Sequence, residues 1–64
     1  MSAPLRITAV GGTSWDVHLG DEYLGREEFG TLTDGGQYAE DDDDVIEHVR
    51  AAYGIDASIP ATVR

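Results

Sequence analysis

Apolar and polar residues alternate along "LRITAV" (residues 5–10), with Leu5, Ile7 and Ala9 on one side and Arg6 and Thr8 on the other. That is the pattern of a half-buried strand. "GGTS" supplies turn residues, and the alternation resumes more cleanly in "WDVHL" (15–19). There Trp15, Val17 and Leu19 share one face, and Asp16 and His18 the other. Gly20 in the following "GD" suits the positive φ of a tight hairpin, so "EYLGREEF" (22–29) is expected to pair back as a third strand. Its parity is mixed, because Tyr23 and Phe29 share a face while Leu24 lies on the other. Gly25 sits where a bulge would switch the face.

The period then changes. "GTLTDGG" reads as a loop, and "QYA" within 37–40 as a short extended segment, a candidate fourth strand. Val45, Ile46, Val49, Ala52 and Tyr53 recur at helical spacing and form one apolar stripe, which predicts a helix over 42–53. Gly54 is its expected stop. The tail, 55–64, is too short and too broken by Pro60 for a second helix, though Ile55, Ile59 and Val63 can pack on the core edge. The pattern describes a single α+β domain over 1–64: a small antiparallel sheet of three to four strands with one helix packed on one face.

Length and composition narrow the chemistry. A chain of 64 residues lies near the lower limit for folding alone on an apolar core. Having no cysteine, it has no disulfide, thiol or thiolate metal chemistry. No apolar run approaches a membrane span, and "MSAPLRITAV" lacks a signal-peptide core, so a cytoplasmic location and no membrane association are expected. His18 and His48 are the only imidazoles, and "EHVR" is not the two-histidine pattern of a metalloprotease. "DDDD" lacks the alternating ligands and central glycine of an EF-hand. Asp16 and His18 with one more carboxylate would suit a divalent ion, but a lone histidine on a polar strand face is more often just solvated. Thr13 and Ser14 have no evident base. No catalytic residue, metal site or cofactor is assigned, and the chain is not expected to be an enzyme.

Charge is the unusual feature. Thirteen acids face four arginines and no lysine, for a formal net charge of −9. Such an excess opposes compaction and repels nucleic acid and anionic membrane, while favouring basic partners. The acids concentrate in "YAEDDDDVIEHVR" (38–50). Acids in a first helical turn oppose the positive end of the helix dipole. Asp44 and Glu47 have capping-box spacing, with Asp replacing the usual Ser or Thr. Four aspartates exceed what a cap requires. Asp16, Glu27 and Glu28 extend the acidity to the second and third strands, where Asp16 and one of the two glutamates are candidate neighbours. The candidate partner-binding set is therefore Asp16, Glu27, Glu28, Asp41, Asp42, Asp43, Asp44 and Glu47. Trp15, Phe29 and Tyr53 read as core, and Tyr23 and Tyr38 as partly exposed aromatics suited to anchoring an interface.

In its shortness, in "REEF" and "YAEDDDDVIEH", and in its sheet-plus-helix layout, the chain resembles the small acidic anti-CRISPR proteins of the DNA-mimic type. The resemblance implies a non-enzymatic, monomeric inhibitor, cytoplasmic in the host cell if phage-encoded. It would occupy a basic protein surface, such as a DNA-binding subunit of a CRISPR effector complex, without contacting nucleic acid itself. The alternative is a small acidic interaction or regulatory module from a halophile or GC-rich bacterium, in which charge serves solubility and missing lysine reflects salt or codon usage. An antitoxin-like subunit that neutralises a basic partner fits the charge equally well.

Overall fold

The computed structural model describes residues 3–64. Three strands follow the sequence pattern closely: β1 (Leu5–Gly11), β2 (Ser14–Leu19) and β3 (Glu22–Glu28), paired antiparallel in sequence order. Helix α1 spans Asp42–Tyr53. Gly54 ends it in the left-handed conformation, its N–H returned to the carbonyl of Arg50.

The fourth strand differs from the expectation. It is β4 (Ala61–Val63), in the tail, and it pairs parallel to β1 through Leu5↔Ala61, Arg6↔Thr62 and Ile7↔Val63. Segment 37–40 instead makes only the isolated bridge Leu32↔Tyr38. The direction of β4 follows from the connections. The sheet order is β3-β2-β1-β4, so the chain leaving β3 must pass over two strands to reach the far edge. α1 makes that crossing, and a strand entered after such a crossover runs parallel to β1 and β3.

The crossing puts the core on the central strands. Leu5, Ile7, Trp15 and Val17 from β1 and β2, and Val45 and Val49 from α1, are the fully buried apolar residues. Ile55, Ile59 and Val63 pack against them from the tail, as their spacing suggested, whereas Ala52 is exposed at the edge of the helical stripe. A core this small rarely supplies more than about 3–5 kcal/mol, so each buried side chain is a large share of the total.

Trp15 meets two aromatic rings. Phe29 stacks on it at 5.3 Å between ring centroids, and Tyr38 meets it edge-on at 4.5 Å. Its indole N–H donates to the Phe29 carbonyl at 3.3 Å. His48 of α1 stacks on the other side of Phe29 at 3.8 Å. Tyr38 is thereby half-buried against the core rather than free for an interface, while Tyr23 remains 53% exposed.

The mixed parity of β3 is a bulge at the expected place. Val17 pairs with Gly25 but His18 with Tyr23, so Leu24 is the extra residue and turns inward to pack on the core. Gly25 adopts φ 154°, and a Cβ there would lie 2.8 Å from the Tyr53 hydroxyl. That hydroxyl donates to Glu27 Oε2 at 3.3 Å, so a side chain at position 25 would displace the end of Tyr53 and strain the backbone at a positive φ. Gly25→Ala is expected to destabilise the domain by about 1–3 kcal/mol. Combining it with Tyr53→Phe, which removes the obstructing hydroxyl, should cost less than the sum of the two single changes. Urea denaturation of the four proteins of the cycle measures this, and strict additivity would mean Tyr53 does not rest on Gly25.

Candidate partner-binding surface

α1 and the β1–β2 hairpin define two ends of the molecule. The hairpin at Gly11–Thr13, the end of β3 and the start of α1 lie at one end. The β2–β3 hairpin and the turn at 54–60 lie at the other, tied by Gly20 N–H to Pro4 and Leu5 N–H to Pro60. Asp21, Glu22 and Asp56 belong to the second end; Glu28, Asp34 and Glu40–Asp44 belong to the first.

Glu40 fixes this grouping. Its Oε1 accepts from the backbone N–H of Thr31 at 2.8 Å and from the Thr31 hydroxyl at 3.2 Å. Gly30 makes room for it, since a Cβ there would lie 2.5 Å from Oε2. The last residue before the aspartate run is thus fastened only three residues beyond Glu28. Two acid clusters separated in sequence by the loop are brought to the same end of the molecule. Burial raises the Glu40 pKa, but the amides of Thr31, Glu40 and Ala39, with the Thr31 hydroxyl, outweigh it and leave the carboxyl below its ordinary value.

The helix start corrects one expectation. Asp41, at φ −73° and ψ 155°, is the N-cap, and its side chain makes no capping bond. Asp44 is the third helical residue, so Asp44 and Glu47 form no capping box. The helix begins three residues before its first buried side chain, Val45, because Asp42, Asp43 and Asp44 in the first turn favour the dipole. All four aspartates and Glu47 are exposed. Asp43 and Glu47 stand four residues apart on the helix, a like-charge spacing that opposes the fold.

The strand acids divide between two faces. Glu27 is opposite Trp15 and lies on the helix side, half-buried beside Tyr53. Burial, the nearby Glu27 charge and the hydrogen bond to it push the Tyr53 phenol up. Glu28 lies on the uncovered face, where Ser14 Oγ donates to its Oε1 at 3.2 Å. Asp16 shares that face, but its cross-strand partner is Arg26, not a glutamate. Arg26 Nε donates to Asp16 Oδ1 at 2.9 Å, and the Tyr23 hydroxyl donates to the same oxygen at 3.2 Å. Hydrogen bonding to Arg26 is the main reason the Asp16 pKa is lowered. Asp16 is therefore engaged within the sheet and stands apart from the acids at the helix start.

Arg6 and Arg50 are engaged toward the opposite end and Arg26 with Asp16, whereas Arg64 lies beside Ala9. Arg26–Asp16 is the only ion pair among the described residues. Arg6 donates to the Gly20 carbonyl and Arg50 to that of Asp56, both toward the opposite end. Arg64 follows Val63 with the parity of the uncovered face, continuing the pairing with Ile7 and Ala9 through its backbone. Though the charges of Arg26 and Glu28 interact across the uncovered face, Glu28, Asp41–Asp44 and Glu47 make no ion pair among the described residues. No cluster of three or more His, Asp or Glu side chains there is arranged to hold a metal, and no helix is long and apolar enough to cross a membrane.

Sequence reasoning missed Glu40 as an organising residue. It stood as one acid among five, and its contact with Thr31 spans a loop with no local signature. Glu40→Gln keeps the acceptor but removes its charge, so the variant should melt lower than the parent at pH 7. A carboxyl held below its ordinary value of 4.5 contributes fully above that pH and loses its contribution as pH falls through the folded value. The gap between the two proteins should therefore close in acid. Thermal melts from pH 7 to pH 2 measure it, and a constant gap would show that charge is not what fastens Glu40. Comparison with protein-family models, with curated proteins and with solved structures returns no match, so any reading of function rests on this surface alone.

Proposed function

We propose that the acidic end, Glu28 together with Asp41, Asp42, Asp43, Asp44 and Glu47, binds a basic surface that another protein otherwise offers to nucleic acid. One observation carries this reading: Glu40 brings the aspartate run to the end of the molecule where β3 ends, these acids make no ion pair among the described residues, and three of the four arginines are bonded elsewhere. Like charges held together oppose folding, and a set this concentrated gains most when it meets arginines and lysines. Helix α1 and the Glu40 tether hold the carboxylates in a fixed arrangement, so little ordering is required on binding. The activity is stoichiometric inhibition by DNA mimicry, in the manner of the acidic anti-CRISPR proteins that the sequence resembles. Glu27 contributes less than Glu28, because its carboxylate accepts from Tyr53 on the helix side. Asp16 contributes least, because Arg26 already neutralises it.

The test is displacement. A labelled target duplex is bound to a purified type I CRISPR effector complex, and the protein is added while fluorescence anisotropy is followed. The duplex should be released in proportion to added protein, and more weakly as salt is raised. The triple variant Glu28→Gln, Asp42→Asn, Asp43→Asn should retain the parent circular-dichroism spectrum and lose at least about tenfold in competition, roughly 1.4 kcal/mol. If the triple variant competes as well as the parent, mimicry through these positions is wrong. An acidic coat that serves solubility predicts no displacement at all.

A further inference from the structure

The two edges of the sheet are built differently. In the order β3-β2-β1-β4, the edge strands are β3 and β4. An open edge is a template for another strand, and proteins blunt it with bulges and charges. β3 has both: the bulge at Leu24, and Glu22, Glu27 and Glu28 along its length. β4 has neither. Its register with β1 is regular, and Arg64 is the one charged residue in 57–64.

Parallel pairing fixes which backbone groups of β4 are free. Leu5 N–H donates to the Pro60 carbonyl at 2.8 Å, Arg64 N–H to the Ile7 carbonyl at 2.9 Å, and Ala9 N–H to the Arg64 carbonyl at 2.9 Å. Pro60, Thr62 and Arg64 therefore turn their backbone groups toward β1, and Ala61 and Val63 turn theirs outward. Nothing pairs with them there. β4 is last in the sheet, and no turn or loop bond among the described residues reaches Ala61 or Val63.

We infer that the β4 edge pairs antiparallel with the β4 edge of a second copy, with the two-fold axis at Thr62. Ala61 then faces Val63 of the second copy, and Val63 faces its Ala61, so every outward N–H and C=O of both strands finds a partner. The half-buried Ala61 and Val63 side chains of the two copies adjoin on the helix side and extend the apolar row that each begins.

Charge selects the occupant. Two chains of net charge −9 meet most readily where acids are absent. Neither β1 nor β4 contains Asp or Glu. A basic segment of another protein finds no acid on β4 to attract it and is drawn to the acidic end instead. Three residues per strand make a small contact, so the dimer is weak and the monomer is the dilute form. The axis lies along the sheet normal. Both helices therefore share one face of a continuous double sheet, and the two acidic ends point in opposite directions.

The chain has no cysteine, so a single one reports the contact cleanly. In the paired dimer, Thr62 and its symmetry mate form a non-hydrogen-bonded pair with Cα atoms about 4.5 Å apart, within disulfide reach. Thr8 is separated from its mate by three strand spacings of about 4.8 Å each, which is out of reach. Both positions are exposed. Under mild oxidation, Thr62→Cys should form a disulfide-linked dimer at least about tenfold faster than Thr8→Cys. The unsubstituted ¹⁵N-labelled chain is then concentrated from about 10 μM to about 1 mM, a range that brackets weak association. Amides of Ala61 and Val63 should shift and gain protection from hydrogen exchange, while those of Thr62 and Arg64, already bonded to β1, change little. Thr62→Lys, which sets two ammonium groups across the axis, should abolish this dependence and keep the parent circular-dichroism spectrum.

Equal oxidation rates for the two cysteine variants, or Ala61 and Val63 amides indifferent to concentration, would overturn the inference. Concentration-dependent shifts confined to the uncovered sheet face would mark a face-to-face dimer and overturn it too. A capped Thr-Val-Thr-Val-Thr peptide that shifts Ala61 and Val63 at lower concentration than the chain itself would reveal a general strand acceptor, and self-pairing would be wrong.

Discussion

The stacking of Phe29 between Trp15 and His48 is the interaction on which the rest of the arrangement depends. Trp15 is fully buried on a central strand, and Phe29 is the first residue beyond β3. His48 lies in the middle of α1, and Tyr38 closes the other contact on Trp15 from the loop. Four rings from four parts of the chain therefore meet at the end of the sheet where the acids gather. Aromatic pairs of this kind add about 0.5–1.5 kcal/mol each beyond the area they bury. In a domain with only a few kcal/mol in total, that is enough to determine where the helix start and the loop settle.

With the column in place, the charge distribution follows from which partners remain within reach. Glu40 is brought to Thr31 and fastened there, and the aspartates after it enter the first helical turn, where the dipole compensates part of their repulsion. Three of the four arginines have other tasks: cross-strand pairing with Asp16 and hydrogen bonds to two carbonyls toward the opposite end. The uncovered sheet face, with Arg6, Arg26 and Arg64 against Asp16 and Glu28, carries a slight positive excess in a chain of net charge −9. The negative charge is therefore polarised toward the helix start, a concentration that composition alone does not imply.

Local patterns made most of the fold legible. The alternation of Leu5, Ile7, Trp15 and Val17 identified the buried face of β1 and β2, and the mixed parity around Gly25 marked the bulge. The helix was predicted over its full extent, since its apolar stripe, its acidic start and Gly54 agreed. β4 was hidden because three residues, Ala61–Val63, are too few to display a period, and their pairing with β1 depends on the helix crossing the sheet first. The N-cap was misjudged because apolar spacing begins at Val45, whereas acids stabilise a turn before it. The candidate site was legible only as a list of acids. Which of them are free, which is a tether and which is neutralised by Arg26 are tertiary facts, set by contacts nine or more residues apart in sequence.

A fold that gathers its carboxylates at one end for a basic partner must hold them there without salt to screen them. At about 0.01 M salt, charges interact over roughly 30 Å, comparable with the 41 Å length of the molecule and longer than its other dimensions of 18 and 17 Å. Self-repulsion is then at its strongest. The most direct measurement is a thermal melt by far-ultraviolet circular dichroism from that concentration up to multimolar KCl. A cooperative transition is expected already at the lowest salt, with the midpoint rising modestly as the acids are screened. A chain unfolded at low salt that folds only in molar KCl would contradict it, and would assign the acidity to hydration in brine rather than to a basic partner.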